Sequence, residues 1–235
     1  MTRGPFPEPS HDFKAVKVDA ADGVLTVTLN RPDALNAFDD NMRADFLALQ
    51  WRIESDADIR VIVFKAAGDR AFGSGADIGW FENDWATQRF RVEYRWVHDF
   101  FDTLERVEIP VIAAIHGICA CGGLELAMAC DFRIATTDAT FRFTEGNINL
   151  IPGSGGCSRL ARMIGVGWAK EMVLAGAVLD AAKAMQVGLI TRVAETREAL
   201  YEEADTLAAK LARKAPQALG LAKAVLNTSA NIDET

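Results

Sequence analysis

Two glycine-rich segments of the chain each follow a run of apolar residues typical of a buried strand. Residues 73–76 (Gly-Ser-Gly-Ala) come after the apolar residues 61–64. Residues 121–123 (Cys-Gly-Gly) come after residues 111–115 and lead directly into an apolar helix, whose unpaired first N–H groups favour an anion. Two N–H donors converging from separate loops would form an oxyanion hole, although glycines in ordinary tight turns would give the same pattern.

Two glutamates stand near the second of these segments. Glu125 falls in the first turn of an otherwise apolar helix. A carboxylate there either interacts favourably with the positive end of the helix dipole or faces a cavity. Glu145 precedes an uncharged run that continues to Pro152, and an ion pair with Arg142 or another arginine would also explain it. Two carboxyl groups in apolar surroundings are typical of a general acid and a general base that work across one pocket.

Several common catalytic and nucleotide-binding motifs are absent from the sequence. There is no G-x-S-x-G and no G-x-x-x-x-G-K-[ST], and residues 73–79 (GSGADIG) miss G-x-G-x-x-G by one residue. The three histidines, His11, His98 and His116, are not close in sequence to a candidate nucleophile, so a catalytic triad is hard to assemble. We expect His116 to be a packed or interface residue. Nucleotide-dependent and triad-based chemistry are therefore not favoured.

The cysteines do not have the spacing of a zinc or thioredoxin site. Two of them form C-x-C and not C-x-x-C; the four are Cys119, Cys121, Cys130 and Cys157. We expect four free thiols packed as small apolar groups, as is usual in a reducing cytoplasm, and no metal site.

The elements that must position these residues alternate between strands and helices. The pattern predicts strands at residues 14–18, 23–29, 60–64, 110–115, 132–135, 140–143 and 190–193. It predicts helices after a cap at Asp39 or Asp40 and at residues 85–104, 124–130, 153–163, 168–175 and 181–186. The first two strands read as a β-hairpin, and residues 68–79 read as a loop.

The recurring strand–strand–helix order indicates an α/β fold in one domain, residues 1–195. From Thr196 the composition shifts to Ala, Leu, Glu and Lys, which predicts a C-terminal segment, residues 196–235, of two helices separated near Pro216.

Composition limits the class of protein. Half of the 235 residues are hydrophobic, which argues against disorder, and the longest apolar run, residues 109–121, is too short to span a bilayer. The net charge of −8 is unsuited to non-specific nucleic-acid binding. Residues 1–10 are polar and proline-rich, without the apolar stretch of a secretory signal. We therefore expect a globular cytoplasmic protein with no nucleic-acid or membrane partner.

Three segments in register carry a family resemblance. The run IPVIAAIHGICACGGLELAMACDFRIATTDATFRFTEGNINLIPGSGGCSRLARMIG, residues 109–165, resembles the core of the enoyl-CoA hydratase/isomerase (crotonase) superfamily. Upstream, LNRPDALNAFD (residues 29–39) and AFGSGADI (residues 71–78) are similar to that family's substrate-binding segments, in the same order. The resemblance covers residues 13–227.

The resemblance implies a fold, a site and partners. The fold would be a spiral of ββα units with C-terminal helices, assembled as a homotrimer or a dimer of trimers. Ala76 and Gly122 would supply the oxyanion N–H groups, and Glu125 and Glu145 would be the catalytic acid and base. An acyl-CoA thioester would be the substrate, with no metal or redox cofactor. Substrate binding would involve Ala37, Ser74, Gly75, Ala76, Asp77, Ile78 and Gly122.

The chain departs from the usual family pattern at several positions. Thr144 stands where many hydratases have proline, and Asn149 stands where many have glycine, although asparagine tolerates left-handed backbone. His116 and Cys121 replace commoner small or polar residues. The helical segment that follows Thr196 is also shorter than is usual for the family.

Our leading hypothesis is hydration of a 2-enoyl-CoA to a 3-hydroxyacyl-CoA. Glu125 would position and activate water, and Glu145 would protonate Cα. The alternatives are another reaction of this family on a CoA ester, either double-bond isomerisation or retro-aldol cleavage, and a non-catalytic acyl-CoA binder.

Overall fold

The computed structural model describes residues 11–77, 79 and 87–229, and for residues 87–94 and 96 it describes the backbone only. Within these residues lie ten strands: β1 (Val16–Ala21), β2 (Val24–Leu29), β3 (Val61–Ala66), β4 (Ala71–Gly73), β5 (Val111–Ile115), β6 (Ile118–Ala120), β7 (Phe132–Thr136), β8 (Thr140–Arg142), β9 (Leu179–Asp180) and β10 (Arg192–Ala194). The seven α-helices of the same residues are α1 (Asp40–Ser55), α2 (Thr87–Arg106), α3 (Gly122–Ala129), α4 (Gly156–Val173), α5 (Ala181–Val187), α6 (Arg197–Ala212) and α7 (Pro216–Ser229).

The strands form two sheets. The larger sheet has the order β1-β2-β3-β5-β7-β10 and is parallel except for the antiparallel β1–β2 hairpin. The smaller sheet has the order β4-β6-β8-β9, with β4, β6 and β8 parallel. Strand β5 is buried on both faces, as expected for the centre of a parallel sheet, and its sequence VIAAI is accordingly apolar throughout.

A repeated strand pair links the two sheets. In the pairs β3–β4, β5–β6 and β7–β8, the first strand joins the larger sheet and the second joins the smaller one. A helix follows each of the first two pairs, α2 after β4 and α3 after β6. This repetition produces a spiral of ββα units, as the resemblance implies, and it places the loops after β4 and β6 side by side.

Both faces of the larger sheet are covered by apolar residues. The main core includes a cluster of Phe46, Phe100 and Phe101, in which the rings of Phe46 and Phe100 stack with centroids 4.6 Å apart. On the opposite face, α6 packs Leu200 and Leu207 with residues of β3, β5 and β7. The first helix of the C-terminal segment is therefore part of the packing of the sheet.

Most predicted elements are confirmed, with shifts at their ends. Asp39 caps α1 by accepting the Met42 N–H at 2.9 Å, and the predicted β-hairpin is present. The predicted break between residues 163 and 168 is a kink within α4 at Gly165, where φ is +77°. The last strand begins at Arg192, two residues later than predicted. Of the predicted long helix, residues 85 and 86 lie outside the described residues.

One prediction about the loops is wrong. Residues 68–79 contain β4, and a further strand, β6, lies between β5 and the glycine-rich residues 121–123. A strand of three residues is too short to show an alternating apolar pattern in the sequence. Its position is set by pairing with the neighbouring strands. Among the described helices, none is both long and apolar enough to cross a bilayer.

Candidate active site

A single residue, Cys121, joins strand β6 to helix α3. Its backbone has φ +49° and ψ −126°, a conformation that residues other than glycine seldom adopt. The Cys121 N–H donates to the carbonyl oxygen of Arg142 at 3.1 Å, which holds the turn against β8. Gly122 is therefore the first residue of α3, where an N–H group has no acceptor inside the helix.

The loop after β4 is held in extended form by Phe38. The Phe38 N–H donates to the Gly75 carbonyl at 2.8 Å, and the Asp77 N–H donates to the Phe38 carbonyl at 3.0 Å. Phe38 and Ala76 thus form a parallel β-bridge, in which the N–H of Ala76 itself takes no part.

The two loops approach each other closely because both contain glycine. A Cβ atom on Gly75 would lie 2.5 Å from the Cβ of Cys121 and 2.9 Å from the amide nitrogen of Gly122. A Cβ atom on Gly123 would collide with the carbonyl oxygen of Gly73. Any side chain at Gly75 or Gly123 would therefore separate the loops that carry the two candidate oxyanion amides.

Neither candidate amide is engaged by another described residue. In the described part of the chain, the N–H groups of Ala76 and Gly122 have no hydrogen-bond acceptor. Both residues line the same cavity of about 640 Å³. Amides fixed in this way can stabilise negative charge on an oxygen atom that enters the cavity.

Glu125 lies one helical turn after Cys121 and is 3% exposed. Its Oε1 accepts two backbone hydrogen bonds, from Ser154 N–H at 2.7 Å and from Gly156 N–H at 3.0 Å. Its Oε2 has no partner among the described residues, and the side chain forms part of the cavity wall. One oxygen atom is thus fixed by the protein while the other is left for a ligand or water.

Glu145 starts a 3₁₀ turn, Glu145–Ile148, directly after β8. Its Oε2 accepts the Thr144 N–H at 2.9 Å, and Asn149 ends the turn with φ +60°, the left-handed backbone that asparagine tolerates. No arginine of the described residues lies within ion-pair distance of Glu145, Arg142 included. The predicted ion pair with Arg142 is therefore wrong, and Glu145 faces the cavity.

The pKa values of both carboxyl groups are raised. Burial, and next the charge of Glu145, raise the pKa of Glu125 to about 7, against the opposing effect of the Ser154 and Gly156 amides and of Arg159. Burial also raises the pKa of Glu145, although hydrogen bonds from Cys121 and Thr144 oppose it. Two such carboxyl groups in one cavity hold a shared proton to a higher pH than exposed glutamates do.

The cavity combines an apolar surface with polar groups at one end. Its apolar surface comes from Phe38, Val97, Ile148, Leu150 and Ile151. The thiol of Cys121 also faces it, 3.1 Å from the hydroxyl oxygen of Thr144, and burial raises the pKa of this thiol to about 11. The thiol is therefore protonated at neutral pH.

The structure brings most of the predicted site residues together. Ser74, Ala76, Gly122, Glu125 and Glu145 all line the cavity.

Other predicted site residues lie behind the cavity wall. Of the described residues predicted for substrate binding, Ala37, Gly75 and Asp77 do not line the cavity. Asp77 instead pairs with Arg31 at 3.1 Å, and Ala37 is buried. Ile78 lies outside the described residues, so its role stays a prediction.

Sequence reasoning missed the two amides that hold Glu125. The glycine cluster at residues 153–156 was the available signal, because a turn rich in glycine exposes backbone N–H groups to a nearby carboxylate. The sequence interpretation used that cluster only to place the start of a helix.

The histidine and cysteine predictions have mixed outcomes. His116 is buried against Tyr201, with ring centroids 6.4 Å apart, as expected of a packed residue. All four cysteines are free thiols, and Cys119 and Cys130 are buried as expected. Cys157 is exposed, so apolar packing is wrong for that residue, which lies on the outer side of the first turn of α4.

The same fold and motifs occur in characterised protein families. The profile of the family described as enoyl-CoA hydratase/isomerase matches residues 19–235. A short-chain-enoyl-CoA hydratase of Clostridium acetobutylicum is 35% identical over 212 residues, which cover 89% of this chain and 80% of that protein. An (E)-benzylidenesuccinyl-CoA hydratase of Thauera aromatica is 36% identical over 203 residues, 86% of this chain and 77% of that protein. The crystal structure of an enoyl-CoA hydratase from Bacillus anthracis superposes with a TM-score of 0.87 at 35% identity, covering 94% of this chain and 85% of that one.

Proposed function

Because this chain belongs to the enoyl-CoA hydratase/isomerase (crotonase) superfamily, we propose that it hydrates a 2-enoyl-CoA thioester to a 3-hydroxyacyl-CoA. One observation carries the proposal: two carboxyl groups with raised pKa values and two unpaired backbone amides face the same cavity. The proposal requires no metal or redox cofactor, since CoA is the handle of the substrate itself.

The amides of Ala76 and Gly122 would bind the thioester oxygen. When water adds to Cβ, negative charge develops on this oxygen as the enolate forms. Preorganised N–H donors stabilise that charge most in a site that excludes water, and loss of one such donor typically costs about 10²–10³ in rate. The apolar surface of the cavity, which includes Phe38, supplies such surroundings.

The two glutamates would move the protons. Glu125 would accept a proton from water through Oε2, the oxygen that the protein leaves unengaged, while Ser154 and Gly156 hold its Oε1. Glu145 would deliver a proton to Cα. Since burial and the charge of Glu145 raise the pKa of Glu125 to about 7, this division requires the shared proton to lie on Glu145 in the reactive complex.

The proposed reaction does not specify the acyl group of the substrate. The Clostridium relative is named for short-chain substrates and the Thauera relative for an aromatic one, yet both are about equally similar to this chain. Crotonyl-CoA is a suitable first substrate because it contains every reacting atom and only one methyl group beyond Cβ.

We also propose assembly as a homotrimer or a dimer of trimers, as the resemblance implies. Helix α7 exposes Leu221, Val225 and Leu226, an apolar surface that a second copy of the chain would cover. Sedimentation equilibrium would measure this, and a monomer at micromolar concentration would contradict it.

The proposed reaction is tested by the loss of the enoyl-thioester ultraviolet band when purified protein is mixed with crotonyl-CoA. We expect rapid loss with the wild type and at least about a hundredfold lower kcat for Glu145→Gln. Glu171→Gln is the matched control, because Glu171 is an exposed glutamate of α4 outside the cavity wall. If no crotonyl, longer-chain or aromatic enoyl ester is hydrated, the proposed reaction is wrong.

Glu125→Gln distinguishes hydration from isomerisation. Isomerisation needs only one carboxylate to carry a proton, and Glu145 alone could do this. A Glu125→Gln variant with full turnover would therefore contradict the two-carboxylate mechanism and favour an isomerase. Binding of the CoA ester without turnover of any enoyl substrate would favour a non-catalytic binder.

A further inference from the structure

Arg159, a buried residue of α4 that no step above uses, lies behind the loop that holds Glu125. It is 3% exposed, and burial of a guanidinium is costly unless its N–H groups are paired. Its Nη2 lies 2.6 Å from Oδ1 of Asp102 and 2.8 Å from Oε2 of Glu105, both on α2. Its Nε donates to the same Glu105 oxygen at 2.9 Å. Helix α2 thus fixes the guanidinium in one orientation.

The guanidinium also contacts the loop. Nη1 of Arg159 donates to the carbonyl oxygen of Ser154 at 2.8 Å. Ser154 is therefore held from both sides, since its N–H donates to Glu125 and its carbonyl accepts from Arg159. Gly155, with φ +83°, lies beneath the guanidinium, and a Cβ atom there would collide with Nη1.

We propose that Arg159 is a positioning residue for Glu125: its guanidinium fixes the Ser154–Gly156 turn and thereby the two amides that orient the Glu125 carboxylate. The importance of Glu125 for turnover rests on the proposed function, whereas its orientation by Arg159 does not. Arg159 is not among the described residues that line the cavity, so the role proposed for it is positioning and not catalysis.

The charged groups around Glu125 determine the sign of the expected effect. The 3₁₀ turn contributes Glu145, which raises the pKa of Glu125, and α4 contributes Arg159, which lowers it. The Cys157 thiol, also on α4, is electrostatically coupled to Glu125. Behind Arg159, α2 contributes Asp102, Glu105 and the partly buried His98. Removing the guanidinium takes away a nearby positive charge and loosens the two amides, and both changes raise the pKa of Glu125.

Arg162→Met is a matched control for Arg159→Met. Arg162 is on the same helix and pairs with the same carboxylate, Glu105, at 2.7 Å, whereas the hydrogen bond to the Ser154 carbonyl comes from Arg159. If Arg159→Met acted only by weakening the contact between α4 and α2, it should therefore have the same effect as Arg162→Met.

The test follows the titration of Glu125 directly, by carbon NMR of protein labelled at the glutamate carboxyl carbon, with the resonance assigned by its loss in Glu125→Gln. We expect Arg159→Met to raise the titration midpoint by about one pH unit and Arg162→Met to leave it unchanged. In the hydration assay, Arg159→Met should lower kcat about 10- to 100-fold with KM within about twofold of wild type.

Arg159→Lys serves where the methionine variant does not fold. It keeps the charge but lacks the planar fork that reaches α2 and the loop together, so we expect a smaller rise of the midpoint and still a reduced kcat. An unchanged Glu125 midpoint in the folded Arg159 variants would overturn the inference. The titration needs no substrate, so it decides the role of Arg159 even if the wild type hydrates nothing, which would refute the proposed function alone.

Discussion

Two buried carboxylates of this protein, Asp45 and Glu125, have opposite surroundings. Asp45, on α1, is 1% exposed and accepts hydrogen bonds on both oxygens: from the N–H groups of Lys14, Ala15 and Val16 and, at 2.6 Å, from the His11 ring. Glu125 is 3% exposed, accepts two N–H groups on one oxygen, and has Glu145 as its charged neighbour across the cavity.

The difference separates a structural carboxylate from one that we propose to be functional. Both oxygens of Asp45 accept hydrogen bonds that attach the residues before the β1–β2 hairpin to α1. Glu125 keeps one oxygen unsatisfied and lies beside a like charge, an arrangement that costs stability and is retained where a proton must move. Burial therefore does not distinguish the two carboxylates, whereas the number of hydrogen-bonded oxygen atoms does.

The largest effect should come from Asp45→Asn. An amide replaces one acceptor oxygen with a donor that faces backbone N–H groups, so we expect a loss of about 4 kcal/mol in the free energy of unfolding. Urea denaturation would measure it, and hydration activity per folded molecule should be unchanged. The control is Asp58→Asn, an exposed loop carboxylate, which should change stability by no more than about 0.5 kcal/mol.

Replacement of the Glu125 carboxylate by an amide should change the free energy of unfolding in the opposite direction. The folded-state pKa of about 7 exceeds the ordinary 4.5, so the folded protein binds this proton more tightly than the unfolded chain does. That stabilisation is complete below pH 4.5 and is lost as the pH rises through 7. Glu125→Gln should therefore be more stable than wild type at pH 8, by up to about 3 kcal/mol, and equal to it near pH 4. A Glu125→Gln variant less stable than wild type at pH 8 would contradict the inference that the charged form of Glu125 destabilises the folded protein.

Glu145→Gln should lower the pKa of Glu125 without returning it to the ordinary value. Loss of the neighbouring charge lowers the pKa of Glu125, but burial remains, so the midpoint should stay above 4.5. The carboxyl-carbon NMR titration described for Arg159 measures this, with Glu171→Gln as the variant in which nothing should move. A midpoint that is the same in Glu145→Gln as in wild type would show that the two carboxyl groups do not interact.

The smallest effect should come from His11→Ala. His11 is partly exposed and is one of four groups that bond to Asp45, so three backbone N–H donors remain after its removal. We expect a loss of about 1 kcal/mol in unfolding free energy at pH 7, by urea denaturation. A loss as large as that of Asp45→Asn would mean that the histidine, and not the backbone, satisfies this carboxylate.

The contrast between Asp45 and Glu125 also marks what sequence reasoning could find. Glu125 stood out because its helix is otherwise apolar and follows a glycine pair. Asp45 gives no such signal, because an acidic residue on a helix of mixed composition resembles a solvent-exposed one. The distinguishing partners, residues 14–16 for Asp45 and the Ser154–Gly156 turn for Glu125, are about thirty positions away in the chain.

The sequence by itself determined the hairpin, the capped start of α1, the family, and which two glutamates and two amides to examine, because local periodicity, caps and motif order are properties of neighbouring residues. Only the tertiary structure decided that the loops after β4 and β6 touch, that Oε1 of Glu125 is fixed while Oε2 stays open, and that Arg159 lies behind that arrangement. Those facts depend on parallel strand pairing and on packing between distant segments. Such contacts produce no repeating pattern in the sequence.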